Sequence, residues 1–196
     1  VALMDDTYER VGNDTSAKEG HFGVTGWQKK HITFGKGKAT IKYVGKSGVS
    51  QEKVVTDSGL VSMLRSTVKD KKPEDRLCQG EDCRVTSTDV NAYLKPFGVT
   101  AKDIRGFHAN REMHERLKGV RSEGGKLPSD EKERAKKLKE EFKKALGETA
   151  EAVGHLPGTL KNQYLVPGLE EEFLSSGKVR STMKKGTKSD GEKEDE

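Results

Sequence analysis

The chain has 196 residues, of which 35% are charged and 31% are hydrophobic, and its formal net charge is +5. It has no apolar stretch near the roughly 20 residues that a membrane-spanning helix needs, and no basic and apolar leader at its start. Cys78 and Cys83 are too few for a disulfide framework, and one C-x4-C pair is poor spacing for a metal site. These observations favour an intracellular protein with neither a membrane segment nor a metal.

The charge is distributed unevenly along the chain. Residues 188–196 contain two lysines and five acidic residues, a net charge of −3, which leaves +8 on the remainder. A basic body points to nucleic acid as a partner. From the composition we expect a folded domain over residues 1–178 and a charged, disordered tail over residues 179–196.

Three short runs with alternating apolar residues predict a small antiparallel sheet near the start of the chain. They cover residues 26–34, 38–44 and 51–55. The glycine-containing segments between them, 35–37 and 45–48, favour tight hairpin turns, because glycine adopts positive φ without steric cost. The expected sheet is therefore a three-stranded meander.

Helical patterns follow from residue 58 onward. Thr100 and Asp103 have the spacing of a capping box, and the longest helix carries a stripe at steps of three and four residues. The stripe consists of Ala135, Leu138, Phe142, Ala145, Thr149 and Ala152. We predict helices over residues 59–69, 86–96, 100–117, 130–153 and 159–164, a further helix starting at residue 168, and a flexible connection over residues 119–129. The fold class is therefore α+β, mainly helical with a small N-terminal sheet.

Common catalytic signatures are absent from the sequence: it has no P-loop, G-x-S-x-G, H-E-x-x-H or dinucleotide-binding pattern. Five residues of catalytic type stand out, namely Arg10 in ERVGN, Lys46 in IKYVGKSG, Arg105 in TAKDIRGFHAN, and His155 and Tyr164 in AVGHLPGTLKNQYLVPG. Each has an ordinary explanation when taken alone. The two basic residues nearest the start can be surface charges, and the tyrosine can be part of the core.

The other two also have structural explanations. Arg105 can pair with a neighbouring acid such as Asp103. His155 can act as a cation at the negative end of the helix that ends near Gly154.

Taken together and in order, the five segments resemble the type IB DNA topoisomerases, whose catalytic domain is shared with the tyrosine recombinases. The resemblance runs from about residue 9 to about residue 174. ERVGN resembles the R-x-G segment, IKYVGKSGV the lysine hairpin, TAKDIRGFHAN the K-x-x-R helix, and VGHLPGTLKNQY the histidine-to-tyrosine segment with its nine-residue gap. The resemblance implies a topoisomerase IB-like α+β fold and catalytic roles for Arg10, Lys46, Arg105, His155 and Tyr164.

The chemistry that the resemblance implies is a transesterification at a DNA phosphodiester. The tyrosine oxygen attacks phosphorus and forms a 3′-phosphotyrosyl bond. A tyrosine in water has a pKa of about 10, so forming phenolate at pH 7 costs about 4 kcal/mol, which nearby positive charge reduces. The two arginines and the histidine can bind the non-bridging oxygens, and the lysine can protonate the leaving 5′-oxygen. The resemblance implies neither a metal nor another cofactor, because these cations take over the electrostatic role.

Topoisomerase and recombinase differ at one position of the K-x-x-R helix. Recombinases usually have H-x-x-R there, whereas this chain has Lys102 three residues before Arg105. Lys102 therefore favours a topoisomerase and is itself a candidate phosphate contact. A site-specific recombinase and a catalytically silent DNA-binding module remain as alternatives.

Further basic and polar residues are candidate contacts to duplex DNA. Phosphate contacts are expected from Lys29, Lys30 and His31 on the predicted first strand, from Lys36 and Lys38 in the turn, and from Lys161. Gln28 or Lys30 is a candidate for reaching a base edge.

The resemblance covers only part of what the family's enzymes contain. Arg10 lies almost at the start, so neither the family's DNA-clamping lobe nor the first helices of its catalytic domain precede it. We expect the amino-terminal part of the same enzyme, or a separate clamp subunit, as a further partner. We also expect the isolated 196-residue chain to bind DNA weakly and to relax it slowly or not at all.

Overall fold

In the described residues, two short helices and a three-stranded sheet come first and further helices follow. The computed structural model describes residues 1–80 and 83–179, so the predicted tail lies outside the described residues from residue 180 onward. Helices α1 (Ala2–Thr7) and α2 (Asp14–Lys18) come first. The α+β fold class predicted from the sequence is confirmed.

The sheet is the predicted meander. Its strands are β1 (Ile32–Gly35), β2 (Lys38–Val44) and β3 (Ser50–Val55), and they pair antiparallel in that order. Alternate residues of β2 face the core, where Ala39, Ile41 and Tyr43 are buried. The register sets Ile41 opposite Lys53 of β3. Lys53 is consequently a buried lysine on the core side of the sheet.

The first predicted strand is wrong over its first six residues. Val24–Gly26 and Lys29–His31 form single 3-10 turns, and the strand begins only at Ile32. Trp27 between the two turns is fully buried, and its carbonyl accepts a hydrogen bond from the Leu77 amide at 2.8 Å. This segment pairs with a later loop instead of extending the sheet.

Six α-helices follow the sheet within residues 1–80 and 83–179. They are α3 (Ser58–Val68), α4 (Ser87–Leu94), α5 (Ala101–Glu123), α6 (Glu131–Val153), α7 (Pro157–Gln163) and α8 (Leu169–Ser176). The capping box predicted at the start of α5 is confirmed: the Thr100 side chain accepts from the Asp103 amide, and Asp103 accepts from the Thr100 amide. No helix in the described ranges is both long and apolar enough to cross a membrane.

Helix α5 ends six residues later than predicted. We expected it to end near Leu117 and a flexible connection to cover residues 119–129, but the helix continues to Glu123. The reason is tertiary: Met113, Leu117 and Val120 are buried in one cluster with residues of α6. Packing against a neighbouring helix offsets the unfavourable helix propensity of Gly119.

The core consists of three clusters of buried residues. The first joins the sheet to α1, α3 and α4, and the second joins α5, α6 and α8. The third is small and contains Ala109 of α5, Ala150 and Val153 of α6, and Leu160 of α7, with Tyr164 packed against it. On α6 the predicted stripe is buried from Leu138 to Thr149, whereas Ala135 at its start is exposed. The third cluster fixes the segment that carries the candidate histidine and tyrosine.

Candidate active site

The five predicted catalytic residues come together from four separate parts of the chain. A cleft of about 800 Å³ is lined by Arg10, Lys46, His155 and Tyr164. A second cleft of about 330 Å³ is lined by Arg10, Lys46, Arg105 and Tyr164. Three of these residues line both clefts, so the five side chains surround one region of the surface.

Arg10 is held by a tight crossing of two backbone segments. Its carbonyl accepts a hydrogen bond from the Val24 amide at 2.9 Å. Gly12 has a φ of 84°, and a side chain at this position would come within 2.9 Å of the Gly23 backbone. A glycine is therefore needed at this position of the R-x-G segment, because the two backbone segments touch there. This contact fixes the segment that carries the Arg10 side chain.

Lys46 lies at the tip of the hairpin that connects β2 and β3. The tip is a single 3-10 turn, Lys46–Gly48, closed by a hydrogen bond from the Gly45 amide to the Val49 carbonyl at 2.8 Å. Lys46 is exposed. A short hairpin with an exposed tip leaves the ammonium group free to reach a substrate lying in either cleft.

Arg105 of α5 is buried, with only 2% of its surface exposed. Its Nη2 donates to the Val153 carbonyl at 2.6 Å, and its Nη1 lies 3.6 Å from Glu9 Oε1. Among the described residues its Nε and Nη1 have no hydrogen-bond partner. Burial lowers the pKa of Arg105 from its ordinary value. The pairing of Arg105 with Asp103 that we considered is wrong, because the Asp103 carboxylate caps α5 at Thr100.

His155 follows directly after the glycine that ends α6. Gly154 has a φ of 66°, and the His155 amide bonds back to the Ala150 carbonyl at 2.7 Å. The imidazole ring lies 4.5 Å from the ring of Tyr164, and its Nε2 is buried without a hydrogen-bond partner among the described residues. Burial, and then the charge of Arg105, lower the pKa of His155 to about 3. The ring is therefore neutral at pH 7, which overturns the explanation that it is a cation at the helix end.

Tyr164 directly follows α7 as its capping residue and is half-buried. The carbon at the centre of the Arg105 guanidinium and the ammonium of Lys102 each lie 5.8 Å from the centre of its ring. Such cations over an aromatic ring attract its π-electrons. The tyrosine is thus flanked by two positive charges of α5 and by a neutral imidazole.

Two residues of the site were missed in the sequence. The first is Asn110 of α5, whose Nδ2 donates to the Tyr164 carbonyl at 2.7 Å. An asparagine in a helix interior has low intrinsic propensity, and this is the signal that could have drawn attention to it. The second is Glu9, a buried carboxylate directly before Arg10. Its signal is an acidic residue next to a catalytic arginine.

The remaining predicted DNA contacts divide into two groups. Lys102 lines the second cleft beside Arg105. Gln28, Lys30, His31 and Lys161 lie outside the residues that line the two clefts. 

Several of these outer residues already have partners in the protein. His31 is half-buried, which lowers its pKa, and its Nδ1 accepts from the Gln28 amide at 3.1 Å. Lys161 forms an ion pair with Glu170. Lys29 donates to the Lys71 carbonyl at 2.5 Å, whereas Lys30 is exposed. A role in DNA binding for any of them stays a prediction.

No group of three or more His, Cys, Asp or Glu side chains within residues 1–80 and 83–179 is arranged to hold a metal ion. Cys78 is partly buried and its Sγ faces the Val24 carbonyl, while Cys83 is exposed.

Comparison with known proteins shows the family to which the chain belongs. Residues 1–185 match the family model of the catalytic core of eukaryotic DNA topoisomerase I. The chain belongs to this family, as the five segments predicted.

Viral proteins are among the relatives. DNA topoisomerase 1B of vaccinia virus (strain Copenhagen) and DNA topoisomerase I of monkeypox virus are each 31% identical to the chain over 151 residues, which cover 76% of the chain and 44% of the relative. DNA topoisomerase 1B of Acanthamoeba polyphaga mimivirus is 26% identical over 179 residues, which cover 85% of the chain and 51% of the relative. The chain spans about half the length of the curated relatives that it matches.

Proposed function

We propose that this chain is the catalytic region of a type IB DNA topoisomerase, which relaxes supercoiled duplex DNA by cutting and resealing one strand through a 3′-phosphotyrosyl bond at Tyr164. One observation carries the proposal. Three buried nitrogens, Arg105 Nε, Arg105 Nη1 and His155 Nε2, have no hydrogen-bond partner in the described part of the chain and lie beside one tyrosine ring. Buried polar groups without partners are costly, so a ligand rich in acceptor oxygens fits here. A phosphodiester is such a ligand.

The proposed cleavage step forms one bond and breaks another at the scissile phosphorus. The Tyr164 oxygen attacks phosphorus and the bond to the 5′-oxygen breaks. The phenol proton passes to water, and Lys46 gives a proton to the leaving oxygen. Resealing is the reverse of this step, and rotation of the cut strand in between relaxes the duplex without ATP.

The transition state gathers negative charge on the two non-bridging oxygens. Arg10 and Arg105 are the cations proposed to bind them, because a guanidinium presents a planar fork of donors. His155 is neutral at pH 7 and adds a hydrogen bond from a ring nitrogen rather than a charge. Fixed cations in a buried site supply the electrostatic stabilisation that a metal ion supplies in other phosphoryl-transfer enzymes. The proposed reaction therefore proceeds without a metal.

The proposed partners follow from the length of the chain. We assign residues 1–178 to the catalytic domain and expect duplex DNA to lie across the two clefts. The relatives are about twice as long as the matched region, which supports a further partner: the amino-terminal part of the same enzyme or a separate clamp subunit. An enzyme that cuts duplex DNA acts where DNA lies, in keeping with the intracellular location that the sequence predicts.

The test is a DNA-cleavage and relaxation assay in EDTA without ATP. The cleavage assay uses the protein in excess over a duplex substrate that is cut irreversibly, which compensates for weak binding. Relaxation is measured on positively and on negatively supercoiled plasmids. We expect a covalent adduct that Tyr164→Phe abolishes. Tyr93→Phe is the control, because Tyr93 is 64% exposed on α4 and does not line either cleft.

Other outcomes would identify the alternatives. Strand exchange between two specific sites would favour a recombinase. DNA binding that Arg10→Ala and Tyr164→Phe leave unchanged, with no cleavage by the parent chain, would favour a silent DNA-binding module.

A further inference from the structure

A buried carboxylate lies directly behind the two candidate catalytic arginines. Glu9 is only 2% exposed, and it does not line either cleft, although its neighbours Tyr8 and Arg10 line the first. A buried carboxylate is rare unless cations and donors surround it. The groups that surround the Glu9 carboxylate therefore indicate which side chains it holds in place.

The two oxygens of Glu9 face different groups. Oε1 accepts a hydrogen bond from the Arg10 amide at 2.7 Å and lies 3.6 Å from both Arg10 Nε and Arg105 Nη1. Oε2 accepts a hydrogen bond from the Tyr43 hydroxyl and lies 3.8 Å from Lys53 Nζ. One oxygen thus contacts the arginines of the site, and the other is held by the sheet.

The sheet side of this cluster holds Glu9 in place. Tyr43 and Lys53 lie on β2 and β3 and are themselves buried. Burial and the neighbouring Glu9 raise the pKa of Tyr43, so its hydroxyl stays protonated and donates. Lys53 brings a positive charge that offsets the desolvation of the carboxylate.

We propose that Glu9 is a positioning residue for the reaction, which fixes the guanidinium groups of Arg105 and Arg10 toward the scissile phosphate. This inference rests on the proposed function, since the phosphate is the group that the arginines are positioned for. Glu9 acts through the arginines and does not touch DNA.

The geometry of Arg105 explains why such a residue is needed. Its guanidinium is held at two points, by the Val153 carbonyl at Nη2 and by Glu9 near Nη1. Two anchors define the plane of the group and leave Nε and one edge of Nη1 for a ligand. Without Glu9, three buried or half-buried cations repel one another, and Arg105 keeps a single anchor.

The first experiment is a double-mutant cycle on the rate of covalent adduct formation, with the 196-residue chain in excess over a duplex that is cut irreversibly. We expect Glu9→Gln to slow cleavage about 10- to 100-fold, because misplacement of about 1 Å in a catalytic group costs up to about 100-fold. In the Arg105→Ala background the same change should cost less than in the parent, since one of the two arginines that it positions is gone. Glu115→Gln, which removes an exposed carboxylate of α5 paired with Lys118, should leave the rate unchanged.

The results that overturn the proposal are distinct from those that overturn the function. A wild-type rate in Glu9→Gln, or an equal loss in both backgrounds, shows that Glu9 does not act through Arg105. Absence of cleavage by the parent chain overturns the proposed function instead.

A second measurement, on the free protein, does not depend on activity. In the parent we expect separate NMR signals for the Nη groups of Arg105, because rotation of a guanidinium with two anchors is slow. In Glu9→Gln these signals should average. If Glu9→Gln does not fold, the double variant Glu9→Gln with Lys53→Met is used instead, because it removes one charge of each sign from the buried cluster. Unchanged Arg105 signals in the variant that folds overturn the proposal.

Discussion

The side-chain amide of Asn110 bonds the backbone of the candidate nucleophile, Tyr164, and the backbone two residues after it. Its Nδ2 donates to the Tyr164 carbonyl at 2.7 Å, and its Oδ1 accepts from the amide of Val166 at 2.9 Å. Arg105 lies on the same helix, five residues earlier. The helix that carries the arginine and the segment that carries the tyrosine are therefore joined by one side chain.

This relationship gives the first prediction. Asn110→Ala removes both hydrogen bonds, each with a net worth of about 1 kcal/mol, and frees the tyrosine segment from α5. We expect adduct formation to slow about tenfold, measured in a single turnover, with DNA affinity unchanged. Asn162→Ala, at an exposed position of α7, is the matched control. Equal slowing in both variants, or none in Asn110→Ala, would contradict the role.

The second prediction concerns Lys46 at the hairpin tip. If Lys46 protonates the leaving oxygen, Lys46→Ala slows cleavage of an ordinary phosphodiester by about 100-fold or more. Replacing the leaving 5′-oxygen by sulfur should remove most of this loss, because a thiolate leaves without being protonated. Cleavage of both substrates is compared in a single turnover. A loss of the same size on the sulfur substrate would mean that Lys46 binds the phosphate and does not act as the acid.

The third prediction is a pH dependence of stability from His155. Its pKa is about 3 in the folded chain and about 6.5 when unfolded, so between these values the unfolded chain binds more protons. The free energy of unfolding therefore falls as the pH falls from about 7 toward 3. His155→Gln should show a shallower fall in urea unfolding at pH 7.5 and pH 5.0. His31 and His114, whose pKa values are also lowered by burial, are present in both proteins and cancel. Equal falls would show that His155 does not titrate as described.

The fourth prediction concerns two lysines that the sequence alone gives equally as candidate phosphate contacts. Lys102 lines the second cleft beside Arg105, whereas Lys161 is paired with Glu170. Lys102→Ala should weaken DNA binding and reduce the slope of log affinity against log salt by about 1. Lys161→Ala should change the slope less, because its charge is already partly neutralised. Affinities measured at several salt concentrations test this, and a slope reduced by about 1 in both variants would show that both lysines contact phosphate.

Much of the fold was predictable because its signals are local. The hairpins follow from alternation with glycines between the strands, and the start of α5 follows from the capping box at Thr100. The predictions of secondary structure are wrong where a contact between residues far apart in the sequence determines the structure. Trp27 pairs with Leu77 and stops the first strand from extending, and packing on α6 carries α5 past Leu117. Neither contact can be read from a sequence window.

The site shows the same division. The resemblance of five segments to a known family singled out Arg105 and Tyr164 as candidates, and the two clefts bring them together with the other three residues. The supporting residues were not predictable in this way. Asn110 contacts the site through the backbone of Tyr164, and Glu9 contacts it through the buried side chain of Arg105. Glu9 and Arg105 are 96 residues apart along the chain. Local sequence does not reveal such pairs.

The last prediction compares two glycines at α6. Gly154 has a φ of 66°, and a methyl group there would lie 2.6 Å from Gln51 Oε1 of β3, whereas nothing lies within 4 Å of a methyl group at Gly147 inside the helix. Gly154→Ala should lower the free energy of unfolding by about 1–3 kcal/mol, because alanine is strained in the left-handed region. Gly147→Ala should raise it by about 0.5–1 kcal/mol. Urea unfolding measures both.

The two substitutions should also differ in catalysis, because His155 directly follows Gly154 and takes its direction from that turn. We expect Gly154→Ala to slow adduct formation under conditions where the variant is fully folded, and Gly147→Ala to cleave like the parent. If the alanine at 154 unfolded the chain, cleavage at lower temperature by the folded fraction would still report the position of the histidine. A Gly154→Ala protein that is destabilised yet cleaves at the parent rate would show that the turn stabilises the fold without orienting His155.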